Sequence, residues 1–134
     1  MQDSPHPEDL IQAVARFLRD QAGPALGQAG EAALAYQARV AANMLDIARR
    51  QLQLAPAAAA RELASLQVLL GQDGDLPGLN QRLAEGIASG EIAPGSPGLS
   101  DHLWASTLAK LAVDQPGYET YRRLTGAAPG KPAG

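Results

Sequence analysis

The chain has 134 residues, a formal net charge of −3 and a pI near 5.2. It therefore lacks the concentrated basic surface that phosphate backbones require, and nucleic acid is excluded as a partner. Its apolar content comes from 27 alanines and 19 leucines against four valines and four isoleucines, a balance that favours helix over strand, and with no cysteine there is no disulfide framework, thiol nucleophile or thiolate metal site.

Pro7 suits a first helical position, and Glu8 and Asp9 favour the positive end of the helix dipole. Leu10, Ile11, Val14, Phe17 and Leu18 then recur at helical spacing until Gly23-Pro24, where the first helix is expected to stop. Ala25 to Gly30 reads as a small-residue turn. From Glu31 to Leu54 there is neither Gly nor Pro, and this stretch is predicted as the central helix, a rod of roughly 36 Å. On a wheel of about 100° per residue, Leu34, Val40, Ala41, Met44, Leu45, Ile47, Ala48 and Leu52 fill a broad apolar arc, which predicts contact with neighbours on two sides. Arg39, Asn43, Asp46, Arg50 and Gln53 form a narrow opposite stripe.

Leu54-Ala55-Pro56 is expected to break that helix, because proline lacks the N–H and restrains the residue before it. Pro56 would open a third helix with Leu63, Leu66, Leu69 and Leu70 on its apolar face, closed by Gly71 as a left-handed cap. Asp75 is placed to cap a fourth helix carrying Leu76, Leu79, Leu83 and Ile87, which ends at Gly90. Ala93 to Gly98 (APGSPG) is a loop. A fifth helix follows from about Leu99 to Asp114, with Trp104, Leu108, Leu111 and Ala112 on one side, and Tyr118 to Leu124 adds a short turn. The expected fold is all-α: an antiparallel bundle of four long helices plus a shorter or peripheral fifth. It forms one domain over residues 1–125, with a disordered tail from Gly126.

The opening MQDSPHPEDL lacks the basic start and apolar run of a signal peptide, and no stretch approaches the roughly 18 continuous apolar residues of a spanning helix. A cytoplasmic location with no membrane partner is the expectation. No Glu-x-x-His pair supports a di-metal bundle, and His6 and His102 lie in different elements, so no metal site is expected. No phosphate loop or dinucleotide fingerprint is present, so no cofactor and no catalytic residue are expected. His102, beside Asp101 at the start of a helix, reads as a solvated surface residue or a residue of the helix's N-terminal turn. LAEGIASGEIAPG (Leu83 to Gly95) is similar to the opening of gluconate-repressor-type winged-helix regulators. The capped pair of short helices those need does not follow, and a capped helix with a turn is the simpler reading.

The candidate binding or interface residues are few. Arg39, Asn43, Asp46 and Arg50, spaced four, three and four apart, stack along one helix face. They make either a solvated surface or a cationic, hydrogen-bonding contact for an anionic ligand or a protein. Gln37 sits inside the apolar arc, where it would lock a core, line a pocket or meet another subunit. Lys110 and Asp114 form an i, i+4 pair on the fifth helix.

At YQARVAANMLDIARRQLQL the sequence resembles a family of small bacterial helical proteins, or C-terminal modules, classed only as a domain of unknown function. MQDSPHPEDLIQAVARFL, DLPGLNQRLAEGIASGEI and LWASTLAKLAVDQPGY extend the likeness over most of Met1 to Tyr118. Its most specific part is Ala38-Arg39-Val40-Ala41-Ala42-Asn43. Genes of that family often neighbour those of acyl-CoA dehydrogenases and aminoglycoside-phosphotransferase-like kinases, which implies a role in acyl-CoA or related catabolism but assigns no reaction. The family pattern tends to carry His where this chain has Gln37, so a proton-transfer role for that His does not carry over. Arg39 and Asn43 match the pattern. The leading expectation is a non-catalytic accessory protein serving an acyl-CoA dehydrogenase-like or phosphotransferase-like partner through Arg39, Asn43 and Arg50. The alternatives are a pocket for a small anionic metabolite such as a CoA thioester, with Asp46 or Asp114 as a base, and a homo-oligomer that buries the apolar surplus.

Overall fold

The computed structural model describes residues 4–126. The first part of the expected lead-in, residues 1–3, and the expected tail from residue 127 lie outside the described residues. All regular structure among them is helical. The chain divides into two compact units between Leu54 and Ala55.

In the first unit, α1 (Pro7–Phe17) starts at Pro7, and the His6 backbone N–H donates to the Asp9 carboxylate at 3.2 Å. The helical path does not stop at Gly23-Pro24. One π-helical turn, Leu18–Ala22, leads into α2 (Gly23–Gln28). The physical reason is Pro24, which has no N–H and whose ring would crowd the carbonyl four residues earlier. In the wider turn the Gly23 N–H reaches back five residues to the Leu18 carbonyl, which loosens the path where the proline ring enters. The true reversal is confined to the few residues around Gly30, which adopts φ 83°, a conformation open to residues without a Cβ.

Helix α3 then runs from Ala32 to Leu70, 39 residues, with Pro56 inside it. The expected break at Pro56 is absent, so one helix stands where two long ones were expected. A proline deletes one backbone bond and crowds one carbonyl, a penalty of about 3 kcal/mol. Here the flanks, QLQLA before and AAAARELA after, are strong helix formers, and the helix continues through.

The first segment lies antiparallel on α3. A methyl group added to Gly27 would lie 3.9 Å from the Ala35 Cβ, one added to Gly23 would lie 3.9 Å from the Ala38 Cβ, and Arg19 reaches Asn43 and Asp46. The contact is made by small residues: Ala15, Gly23, Ala38 and Ala42 are the buried ones. The broad apolar arc expected to be core is therefore corrected in part: Ala41, Leu45 and Ile47 are half-buried, but the other large residues are not. Leu34, Val40, Met44 and Leu52 are exposed, from 37% at Val40 to 64% at Met44. Alanine and glycine let two helix backbones approach closely, and these four larger side chains are left facing outward.

The second unit has a leucine core. Leu66 of α3, Leu79 and Leu83 of α4 (Leu76–Ser89) and Leu99 of α5 (Leu99–Asp114) are buried together, and Leu63, Leu69, Leu70, Leu76 and Ile92 pack around them. The punctuation read from sequence is in place. Gly71 and Gly90 are left-handed at φ 64° and 81°, and Asp75 accepts from the Gly78 N–H at 2.8 Å. After Gly90 the chain folds back, the Ile92 N–H bonding the Gly86 carbonyl at 2.9 Å. A Cβ on Gly86 would fall 2.6 Å from Ile92 Cδ1, so a larger residue there would have to displace the Ile92 side chain. Glu91 also pairs with Arg82 at 2.6 Å. That hydrogen bond and charge hold the Arg82 guanidinium above its ordinary pKa, so it stays cationic at any working pH.

The face of α5 is corrected in part: Leu108, Leu111 and Ala112 are half-buried, but Trp104 is not. Trp104 is 55% exposed, and the buried residues are Leu99, His102 and Val113. With the partly buried Ser106 and Ala109 they form a stripe spaced three, four, three and four. The last element, α6 (Glu119–Thr125), takes the place of the expected short turn and ends at Gly126, φ 67°.

Enlarging the alanine ridge tests this packing. Ala42→Leu is expected to destabilise the fold by about 1–3 kcal/mol through overpacking, seen as a lower urea midpoint. Met44→Leu on the exposed side is expected to leave the midpoint unchanged.

Candidate functional site

The antiparallel arrangement of the first unit sorts its side chains by chemistry. Positions rotated the same way from the contact line, at about 100° per residue, share one side of the hairpin. Arg16, Arg19 and Asp20 on the first segment then lie with Arg39, Asn43, Asp46 and Arg50 of α3. The structure marks this side directly: Arg19 Nη2 donates to Asp46 Oδ2 at 2.7 Å and to Asn43 Oδ1 at 3.1 Å. Leu10, Val14 and Phe17 of α1 lie on the other side with Leu34, Met44 and Leu52 of α3, all of them exposed. No Asp, Glu, Lys or Arg of the hairpin helices falls on that side.

The structure brings only part of the predicted constellation together. Asn43 and Asp46 meet through Arg19, a residue that sequence spacing could not select because its partners lie 24 and 27 positions away. The pair is about a quarter exposed, so it is stronger than a fully solvated ion pair. Arg39 is exposed on the same side, and Arg50 is half-buried. Arg49, half-buried near the contact line, donates to Gln53 at 3.4 Å and keeps its Nε buried without a partner among the described residues. Gln37 is exposed on the uncharged side. Lys110 and Asp114 are both exposed and form no ion pair among the described residues.

A second candidate lies in the other unit. His102 is not a solvated residue: it is 4% exposed, and its Nδ1 lies 2.8 Å from Ser65 Oγ. The two sit on the wall of a cavity of about 370 Å³ whose polar lining also includes Arg61, Glu62, Ser106 and Tyr121, with alanines between them. Glu62 is held by a 2.9 Å bond from Asn80 Nδ2. The site offers a hydroxyl, an imidazole, a guanidinium and a carboxylate over an apolar floor, enough to orient a small polar ligand. Sequence reading missed it because His102 interrupts the apolar stripe of α5. The available signal was its spacing from Leu99 and Val113. No group of three or more His, Cys, Asp or Glu side chains able to hold a metal occurs among the described residues, and none of their helices is long and apolar enough to cross a membrane.

An all-helical protein with one charge-segregated hairpin and one leucine-cored unit is thus defined. Residues 28–118 match the family described as Domain of unknown function (DUF6285), and the chain belongs to that family. The matched span holds α3, α4 and α5, including the Ala38 to Asn43 stretch. The opening stretch MQDSPHPEDLIQAVARFL lies before it. No curated protein and no solved structure matches the chain.

Removing the Ser65 hydroxyl tests the buried pair. Ser65→Ala leaves the His102 ring nitrogen without its partner, and a loss of about 1–3 kcal/mol in unfolding free energy is expected. An unchanged denaturation midpoint would show that the ring finds water there instead.

Proposed function

We propose that the protein is a non-catalytic interaction protein whose work is done by the helical hairpin of residues 7–54. The observation that supports this is the segregation of that hairpin, with its charges gathered on one side and large apolar side chains held in solvent on the other. Packing within one chain requires neither feature. The polar side offers Arg39, Asn43 and Arg50 around the Arg19–Asp46 pair, and it suits a partner with an acidic, hydrogen-bonding surface. The resemblance drawn from the sequence makes an acyl-CoA dehydrogenase-like or phosphotransferase-like protein the partner class. In this reading the Arg19–Asp46 bond fixes the stripe so that Arg39 and Asn43 are presented in one geometry, and the role is accessory to acyl-CoA metabolism.

The double substitution Arg39→Ala/Asn43→Ala is expected to weaken capture of such a partner by roughly tenfold or more, since each lost charge-assisted contact removes about 1.5–3 kcal/mol. Native affinity in that variant, measured by calorimetry with the purified partner, would remove this surface from consideration.

The cavity beside Ser65 and His102 favours a second reading: a pocket for a small anionic metabolite such as a CoA thioester, with Arg61 at the anion. Asp46 and Asp114, the candidate bases of the sequence reading, are not among the residues lining it. A thermal-shift series with CoA esters separates this reading from the first. A ligand at 100 times its Kd adds about 2.7 kcal/mol of stability, and Arg61→Ala should abolish the shift. No shift with any ester would dismiss the pocket reading.

A further inference from the structure

We infer that the uncharged side of the hairpin is covered by a second copy of this chain, the two hairpins closing into a four-helix arrangement. The inference rests on the interaction reading above and supplies a partner for the side which that reading leaves open. A two-helix layer with one apolar side is half of a stable packing, because such a side must be buried against another layer. Leu10, Val14 and Phe17 recur on α1 at spacings of four and three, and Leu34, Met44 and Leu52 line the neighbouring side of α3; each is roughly half exposed. Together they present on the order of 500 Å² of apolar surface per chain. Two copies that buried all of it would remove about 1,000 Å², the lower limit for a specific interface.

The chemistry of this side selects a like partner. Each copy carries a net charge of −3, yet no formal charge lies on the side itself, so two copies meet there without local repulsion. Its polar residues on α3 are Gln37 and Gln51, both exposed. A primary amide carries both a donor and an acceptor and is its own complement. A twofold interface, in which one patch meets itself, accommodates such groups. Ala41 and Ala48, between the larger residues of α3, leave room for side chains of the opposite copy.

Light scattering on the full-length chain, across micromolar concentrations, should give a species of twice the chain mass of 13.9 kDa. Val14 and Met44 are 49% and 64% exposed, so Val14→Glu/Met44→Glu should keep native helicity by circular dichroism and weaken the dimer on the order of 100-fold. Arg39→Glu, on the other side, should leave the dimer intact. The chain has no cysteine, which permits a second readout that disturbs folding less. A fluorophore on Met44→Cys should be shielded from a soluble quencher as the concentration rises, and one on Arg39→Cys should not. A monomer at all concentrations overturns the inference, and so does a dimer that the two glutamates fail to weaken. A monomer that still binds a dehydrogenase-like or kinase-like protein through Arg39 and Asn43 would overturn the pairing alone. A dimer that binds no such protein would support the pairing and remove the accessory reading.

Discussion

The close approach of Gly23 and Gly27 to Ala35 and Ala38, with Ala15 and Ala42 also buried, is the constraint on which the first unit depends. Helices that meet through such small side chains leave many of their large ones outside the contact. Once that ridge is set, the phase of each helix is fixed, and with it the destination of every other residue. Arg19 is carried to Asp46 and Asn43, the remaining cations gather beside them, and Phe17, Leu34 and Met44 are left in water. The chemistry of both surfaces follows from a contact that contains almost no chemistry of its own.

The second unit solves the same problem with larger pieces. Leu66, Leu79, Leu83 and Leu99 fill its centre, and the chain after α4 returns over Gly86 to add Ile92 to that cluster. Within this apolar setting the Ser65–His102 bond satisfies two polar groups that burial would otherwise penalise. It also places them on a cavity wall, where satisfying the core and presenting polar atoms to a ligand are compatible.

The helical class, the caps at Asp75, Gly71 and Gly90, and the span of α5 were all legible in the sequence, because each depends on local propensity or a backbone rule. The errors share a cause. Pro56 and Pro24 are breaks by rules that count what proline removes, but strong helix formers around one and a π turn before the other outweigh that loss. Periodicity assigns the inward faces of the first half of α3 and of α5 to the largest apolar residues, whereas tertiary packing buries Ala38 and Ala42 most deeply in one and Leu99, His102 and Val113 in the other. The stripe of Arg39, Asn43, Asp46 and Arg50 was visible as a pattern. Its tie to Arg19 was not, since side chains on separate elements leave no periodic mark.

The alanine ridge has a thermodynamic consequence as well. Alanine and glycine have no rotamers to lose, so the hairpin forms at little cost in side-chain entropy. The residues rich in rotamers, such as Met44 and Leu34, keep their freedom in the free chain. That freedom is surrendered only when something settles on them. The ordering entropy is thus moved from folding to association, and any change that stiffens these side chains beforehand would tighten binding while leaving the hairpin's own contacts untouched.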